Sequence, residues 1–387
     1  MGENKFSRPI LWQTLRCAPF LLIPLCVAVL LLVSCVVPGS TKPIVKIGLV
    51  APFEGLYRPL GYGVLYAVKL AIRERNEQGG VAGYMVELVA LDDGNDPVEA
   101  AQSARELTLD PDVMGSLGHF SNAATLAALS EYRRAGLALV TLSTADAVTS
   151  KPSVFRLCAR NDQLGEAAAR FAVTELGARR LAVVRGEDDL ADAFIARAQG
   201  LGAIVALDDR FDAPGLIAAL NDTKFDLIFF SGDAVEGAEL IVQAREMGIG
   251  APFMGGSGLD SPKLVQIGGE AVEGTIYATV SPDVPEGGDF SEGYLALAGH
   301  PPVPHAILAY DATNVLLDAL TWAIAHDGKP TRRGLAAALA GTQRDGLSGP
   351  IAFDAKGDPI EPRIYVRQIV EGRYPGRCIS STSVDGL

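Results

Sequence analysis

The sequence predicts an α/β protein made of two doubly wound lobes, each a mainly parallel sheet wrapped by helices. Three observations carry that expectation. Short β-branched apolar runs alternate with helically spaced segments along most of the chain. Apolar residues make up 49% of the 387, enough to bury large cores and to exclude global disorder. Roughly ten strands are too many for one comfortable sheet in a chain of this size, so they divide into two.

The elements follow in order. "IVKIGLVAPF" (44–53) is short, apolar and β-branched, a buried strand. In "GYGVLYAVKLAIRERNEQGG" (61–80), Val64, Leu65, Val68 and Ile72 recur at helical spacing until Gly79-Gly80 stops the helix. "YMVELVALDD" (84–93) is the next strand, and Asp96-Pro97 supplies the preferred cap and first residue of a helix. "VMGSLG" (113–118), a helix over 122–135 and "LALVTLS" (137–143) continue the alternation. "RLAVVRG" (180–186), "AIVALDD" (203–209), "FDLIFFSG" (225–232) and "GTIYATV" (274–280) extend it, with helical segments between. Such alternation builds βαβ units, whose ligands sit beyond the carboxyl ends of the strands. The loops to watch are therefore 51–60, 92–96, 117–122, 143–149, 186–190, 231–236 and 255–260.

Composition narrows the function. The formal net charge is −13 and no Lys/Arg run exceeds two residues, which argues against nucleic acid as a partner. His119, His300, His305 and His326 are scattered and form no metal-binding pair. "GGSGLD" (255–260) misses the Gly-x-Ser-x-Gly spacing by one place, and no nucleophile–base pair, metal motif or cofactor motif is found. An enzyme is not expected.

The N-terminus carries Lys5, Arg8 and Arg16 ahead of the uncharged run "CAPFLLIPLCVAVLLLVSC", the layout of a bacterial export signal. Leu32-Val33-Ser34-Cys35 resembles the lipobox of bacterial lipoproteins, which implies a signal peptide over 1–34, lipidation of Cys35 and a tether over 35–43. An uncleaved anchor helix is the other reading, since the run approaches membrane-spanning length. Either one puts the globular part outside the cytoplasm, tethered to the bacterial cell membrane, and loss of 1–34 would leave a charge of −15. Within the fold only Cys158 and Cys378 remain, as one disulfide or as two separate thiols.

Together these stretches resemble the periplasmic binding proteins of the branched-chain amino acid (Leu/Ile/Val) class, the type I solute-binding proteins of ABC importers. "NEQGGVAGYMVELVALDDGNDPVEAAQSARELT" is the most specific match, joined by "VMGSLGHFSNAATLAALSEYRRAGLALVTLSTADAVT", "FDLIFFSGDAVEGAELIVQAREMGIGAPFMGGSG" and "AILAYDATNVLLDAL". The resemblance implies a two-lobe clamp with three chain crossings, near 155–158, 279–282 and 349–352. Lobe one would be 44–156 plus 281–350, lobe two 157–280 plus 351–375, and 376–387 a frayed tail. It also implies a monomer that captures a small polar ligand, an amino acid first, and delivers it to an ABC transporter permease. A ligand-sensing receptor of the same fold is the alternative.

By family position the ligand carboxylate would meet Ser121, Asn122, Ser143 and Thr144, although Ser121 and Ser143 could simply cap helices. Ser257 stands where relatives that bind aliphatic amino acids place an acid for the ammonium group. Asp233 stands where they place an aromatic; it could be the relocated ammonium partner, a hydrogen-bond acceptor for a sugar-like or amide ligand, or only a helix cap. Leu60 and Leu190 replace tyrosines. Tyr57 and Tyr310 are expected at the cleft, and Asp260 reads as a cap. Gly94 and Gly118 occupy the positions of the family's disulfide, which is therefore absent.

Overall fold

A computed structural model describes residues 42–149, 153–212 and 214–384. The export signal and the Cys35 lipidation site lie outside them. The chain opens with β1 (Ile44–Ala51), α1 (Arg58–Glu77), β2 (Met85–Asp92), α2 (Pro97–Leu109), β3 (Val113–Leu117), α3 (Asn122–Ala135), β4 (Ala138–Thr141) and β5 (Val154–Arg156). It continues through α4 (Asn161–Arg170), β6 (Arg180–Arg185), α5 (Asp188–Gly200), β7 (Ile204–Arg210), α6 (Leu216–Asp222), β8 (Leu227–Phe230), α7 (Ala234–Glu246), β9 (Phe253–Gly255), α8 (Pro262–Gly268) and β10 (Ile276–Thr279). Then come α9 (Gly288–Ala298), α10 (Pro304–Asp327), α11 (Arg332–Leu339), β11 (Gln343–Gly346), β12 (Gly349–Ala352), β13 (Arg363–Val370) and β14 (Arg373–Ser383).

These elements form two lobes. One sheet is parallel throughout, ordered β2-β1-β3-β4-β5. The other is ordered β14-β13-β10-β9-β8-β6-β7, with β13 antiparallel to both of its neighbours, β10 and β14, and every other pair parallel. Strand alternation sends successive residues to opposite faces. Leu181, Val183, Leu227 and Phe229 join the core under α4 and α5, while Ala182, Val184, Ile228 and Phe230 join the one under α6 and α7. Faces covered on both sides explain why every residue of β3, β4 and β8 is buried.

Buried arginines tie the crossings together. Arg156, fully buried at the end of β5, donates to Asp358 Oδ1 (3.0 Å) in the 353–362 connection and to the carbonyls of Ser143 (3.1 Å) and Ala145 (2.9 Å). Arg367 on β13 donates to Gly376 O (3.0 Å) and Ser281 O (3.3 Å) and pairs with Asp283 at 2.7 Å.

Several expectations need correction. The tail is not frayed from 376, because β14 pairs with β13 out to Arg363↔Ser383 and so satisfies its backbone. The chain enters the second sheet after 352 rather than at 349–352, because β12 pairs back onto β11. Of the two alternatives left open for Cys158 and Cys378, the separate thiols are found: Cys158 Sγ donates to Leu142 O (3.2 Å) and Cys378 Sγ to Ser380 O (3.4 Å). His119, in the strand-end loop 117–122, which the sequence leaves free to be surface or cleft, lies in the interior. It is fully buried, Nδ1 2.6 Å from Asp93 Oδ2 and Nε2 3.1 Å from the Tyr132 hydroxyl. Its neighbour Gly118 has φ +138 and a Cβ there would lie 2.3 Å from Val50 O, so a cysteine does not fit this backbone.

Candidate functional site

Three strand-end loops of the second sheet build one wall. Their glycines let them touch: a Cβ on Gly186 would lie 2.4 Å from Gly232 Cα, and one on Gly258 would lie 2.3 Å from Gly232 O. Ser231 Oγ ties the first two loops by accepting from Gly186 N at 2.9 Å. This packing sets Glu187, Asp233 and Asp260 side by side at the carboxyl ends of β6, β8 and β9, where ligands meet such sheets.

Asp233 does two jobs. Its Oδ1 caps α7 by accepting from Val235 N (2.8 Å) and Glu236 N (3.0 Å), and its Oδ2 accepts from the Tyr57 hydroxyl (3.2 Å) of the opposite lobe. Burial and then the Asp233 charge push the Tyr57 phenol up to about 12, so it stays a neutral donor. Asp260, 6% exposed, accepts from Thr279 Oγ1 at 2.6 Å, while the cap of α8 is its neighbour Ser261.

The facing wall comes from the first sheet. Ser121 caps α3, and the Asn122 side chain turns toward the loop after β4. There Asn122 Oδ1 accepts from Ser143 Oγ (2.7 Å), Thr144 N (2.9 Å) and Ala145 N (3.0 Å). Its Nδ2 donates across the cleft to Glu187 Oε2 (2.7 Å), which also accepts from Asn161 Nδ2 (2.8 Å). Burial holds the Glu187 carboxyl above its ordinary value of 4.5. The amides of Asn161 and Asn122 offset this in part, and Asp189 and Asp233 add to it.

Between the walls lies a cavity of ≈ 320 Å³. Of the residues expected at a ligand, Tyr57, Ser121, Asn122, Thr144, Asp233 and Ser257 line it. Ser143 does not; it is 1% exposed behind Asn122. Tyr310 is also elsewhere, because its hydroxyl is turned to Glu74 Oε2 on α1 (2.5 Å). Leu60 and Leu190 both contribute apolar lining. Arg58 is exposed, its guanidinium 5.0 Å above the Tyr62 ring. Sequence reasoning missed Glu187, Lys263, His305 and Tyr374 as lining residues, although Glu187 falls in the strand-end loop 186–190. Burial lowers the pKa of His305, with Asp260 opposing, and raises that of Tyr374, with Asp260 adding to it. Among the described residues, no group of three or more His, Cys, Asp or Glu is arranged to hold a metal.

A cleft between two parallel-sheet lobes is also what the relatives of this chain present. The profile of the periplasmic binding protein family matches residues 44–373. Leu/Ile/Val-binding protein homolog 2 of Brucella abortus (strain 2308) is 27% identical over 353 residues, 87% of this chain and 94% of that protein. The crystal structure of the leucine binding protein LivK from Thermotoga maritima MSB8 is 30% identical with a TM-score of 0.78, over 89% of this chain and 100% of that one. An ABC transporter substrate-binding protein from Desulfitobacterium hafniense, in complex with Leu, is 25% identical with a TM-score of 0.74, over 87% and 100% of the two chains. This chain belongs to the periplasmic binding protein family, and it is a binding protein rather than an enzyme.

Proposed function

We propose that the chain is an extracytoplasmic, lipid-anchored substrate-binding protein that captures a small polar solute between its lobes and delivers it to the permease of an ABC importer. The observation that carries this reading is the interlobe cavity, lined by polar groups from both walls that meet in the Tyr57–Asp233 and Asn122–Glu187 contacts. A solute touching both walls favours the closed arrangement by its differential affinity, which is how ligand occupancy becomes a shape that a permease reads. Lobe one comprises 44–156 plus 281–352, and lobe two 157–280 plus the β13–β14 hairpin. Tyr57, Ser121, Asn122, Thr144, Asp233 and Ser257 are the proposed ligand contacts. Cys35 bears the lipid, the two chains of a diacylated cysteine being sufficient for stable anchoring. The working unit is a monomer. Amino acids are the first solute class to try, since the relatives are named for leucine, isoleucine and valine.

A thermal-shift screen of the chain lacking 1–34, refolded to remove carried ligand, tests the reading. The panel holds amino acids, amines, small amides, polyols and short carboxylates. A binder at 100 times its Kd adds about 2.7 kcal/mol of stability. A panel with no binder counts against a solute-capturing role.

A further inference from the structure

The polar lining narrows the solute class, on the reading that the cleft is the solute site. Two backbone donors of the loop after β4 that would suit a carboxylate are already occupied. Thr144 N and Ala145 N, with Ser143 Oγ, all converge on Asn122 Oδ1. A ligand carboxylate entering there would displace the amide and leave its oxygen without donors. Acceptors, in contrast, are in surplus. Among the described lining residues stand three carboxylates, Glu187, Asp233 and Asp260, against one lysine, Lys263.

Two of these carboxylates have unused capacity. Asp260, a lining residue only 6% exposed, has a buried Oδ1 with no hydrogen-bond partner among the described residues, an unpaired acceptor beside the cavity. Both Glu187 side-chain bonds among the described residues end on Oε2, and Oε1 accepts none there. Leu56, Leu60, Leu142, Leu190 and Val280 add aliphatic lining beside the aromatic rings of Tyr57, Phe120 and Tyr374.

We infer that the cleft selects a small aliphatic cation lacking an α-carboxylate, an alkylamine or a diamine, over the corresponding α-amino acid. Glu187, Asp233 and Asp260 receive the N–H groups, the leucines cover the carbon chain, and Asn122 acts as a built-in substitute for the missing carboxylate. Discrimination of this kind follows from leaving the wrong ligand's polar end without partners.

Calorimetric titration of the ligand-stripped chain with two matched pairs tests this: 3-methylbutylamine against L-leucine, and 1,5-diaminopentane against L-lysine. Each pair differs only by the carboxylate. The expected result is that at least one amine binds, about ten-fold or more tighter than its amino acid. Tighter binding of the amino acid in both pairs overturns the inference and leaves the cleft reading intact. Binding of none of the four also overturns it, and the wider screen above then decides whether the cleft binds any solute. Asn122→Ala, which frees the Thr144 and Ala145 amides, should raise L-leucine affinity about ten-fold. An unchanged or weaker leucine affinity in a variant with wild-type melting temperature counts against the substitute-carboxylate role. Asp260→Asn should weaken amine binding, and unaltered amine affinity counts against the carboxylate's part in it.

Discussion

Replacing Arg156 with methionine removes the donor that joins the end of β5 to the third connection. The guanidinium is 0% exposed and spends its N–H groups on Asp358, on the carbonyls of Ser143 and Ala145, and on Thr149 Oγ1. Removing one partner of a buried pair costs about 3–5 kcal/mol. The lower end applies, because Asp358 keeps Thr149 Oγ1 at 2.7 Å and Arg160 at 3.3 Å. One stranded carbonyl adds about 1 kcal/mol, and methionine fills much of the space, so the total is about 4 kcal/mol. With about 2.1 cal/mol/K per residue over a body of this size, the melting temperature should fall by about 6 °C. Urea unfolding of wild type, Arg156→Met, Asp358→Asn and the double variant reads both the loss and the coupling. A loss below about 1 kcal/mol, or additive single losses, refutes the claim that this pair holds the connections together.

Three further outcomes follow from the same structure. His119→Phe should cost about 2–3 kcal/mol by leaving the buried Asp93 and Tyr132 oxygens short of a partner, checked by urea midpoint; a neutral effect would mean that the trio only fills space. Glu187 holds its proton to higher pH folded than unfolded, so its share of ligand-free stability is full below the ordinary value of 4.5 and is lost as pH rises through the folded value. Affinity for a cation runs the other way, falling as pH drops through that folded value, and calorimetry in a pH series reads the sign. Native-state thiol labelling should modify Cys378 well before Cys158, whose burial pushes its thiol up to about 12, and the intact mass should show no disulfide.

The alternation of strands and helices was legible because each segment's period and stop signals are local. The residues that join distant loops were not. Arg156 and Asp358 lie 202 positions apart, so no window of sequence contains their pairing. Asp233 was ambiguous because a strand-end acid serves equally as cap and as cleft group, and here its two oxygens divide those roles. Asp260 and Ser261 are equally good caps at a helix start, and only packing against Thr279 decides between them. Tyr310 falls on α10, but the direction of its hydroxyl depends on Glu74, far away in the chain. The glycines that let three loops touch at Gly186, Gly232 and Gly258 look like ordinary turn residues until the loops are superimposed in space.

The most direct test of the central claim is a titration that asks where a solute binds. Ala123 is exposed on α3 and lines the cavity, so Ala123→Trp fills the cleft from a position with little cost to the core. The best solute from the thermal-shift screen is titrated into wild type and into this variant by calorimetry. The account predicts one site per chain in wild type and none in Ala123→Trp, whose own melting temperature stays close to wild type. Undiminished binding to a well-folded Ala123→Trp would place the solute elsewhere and contradict it.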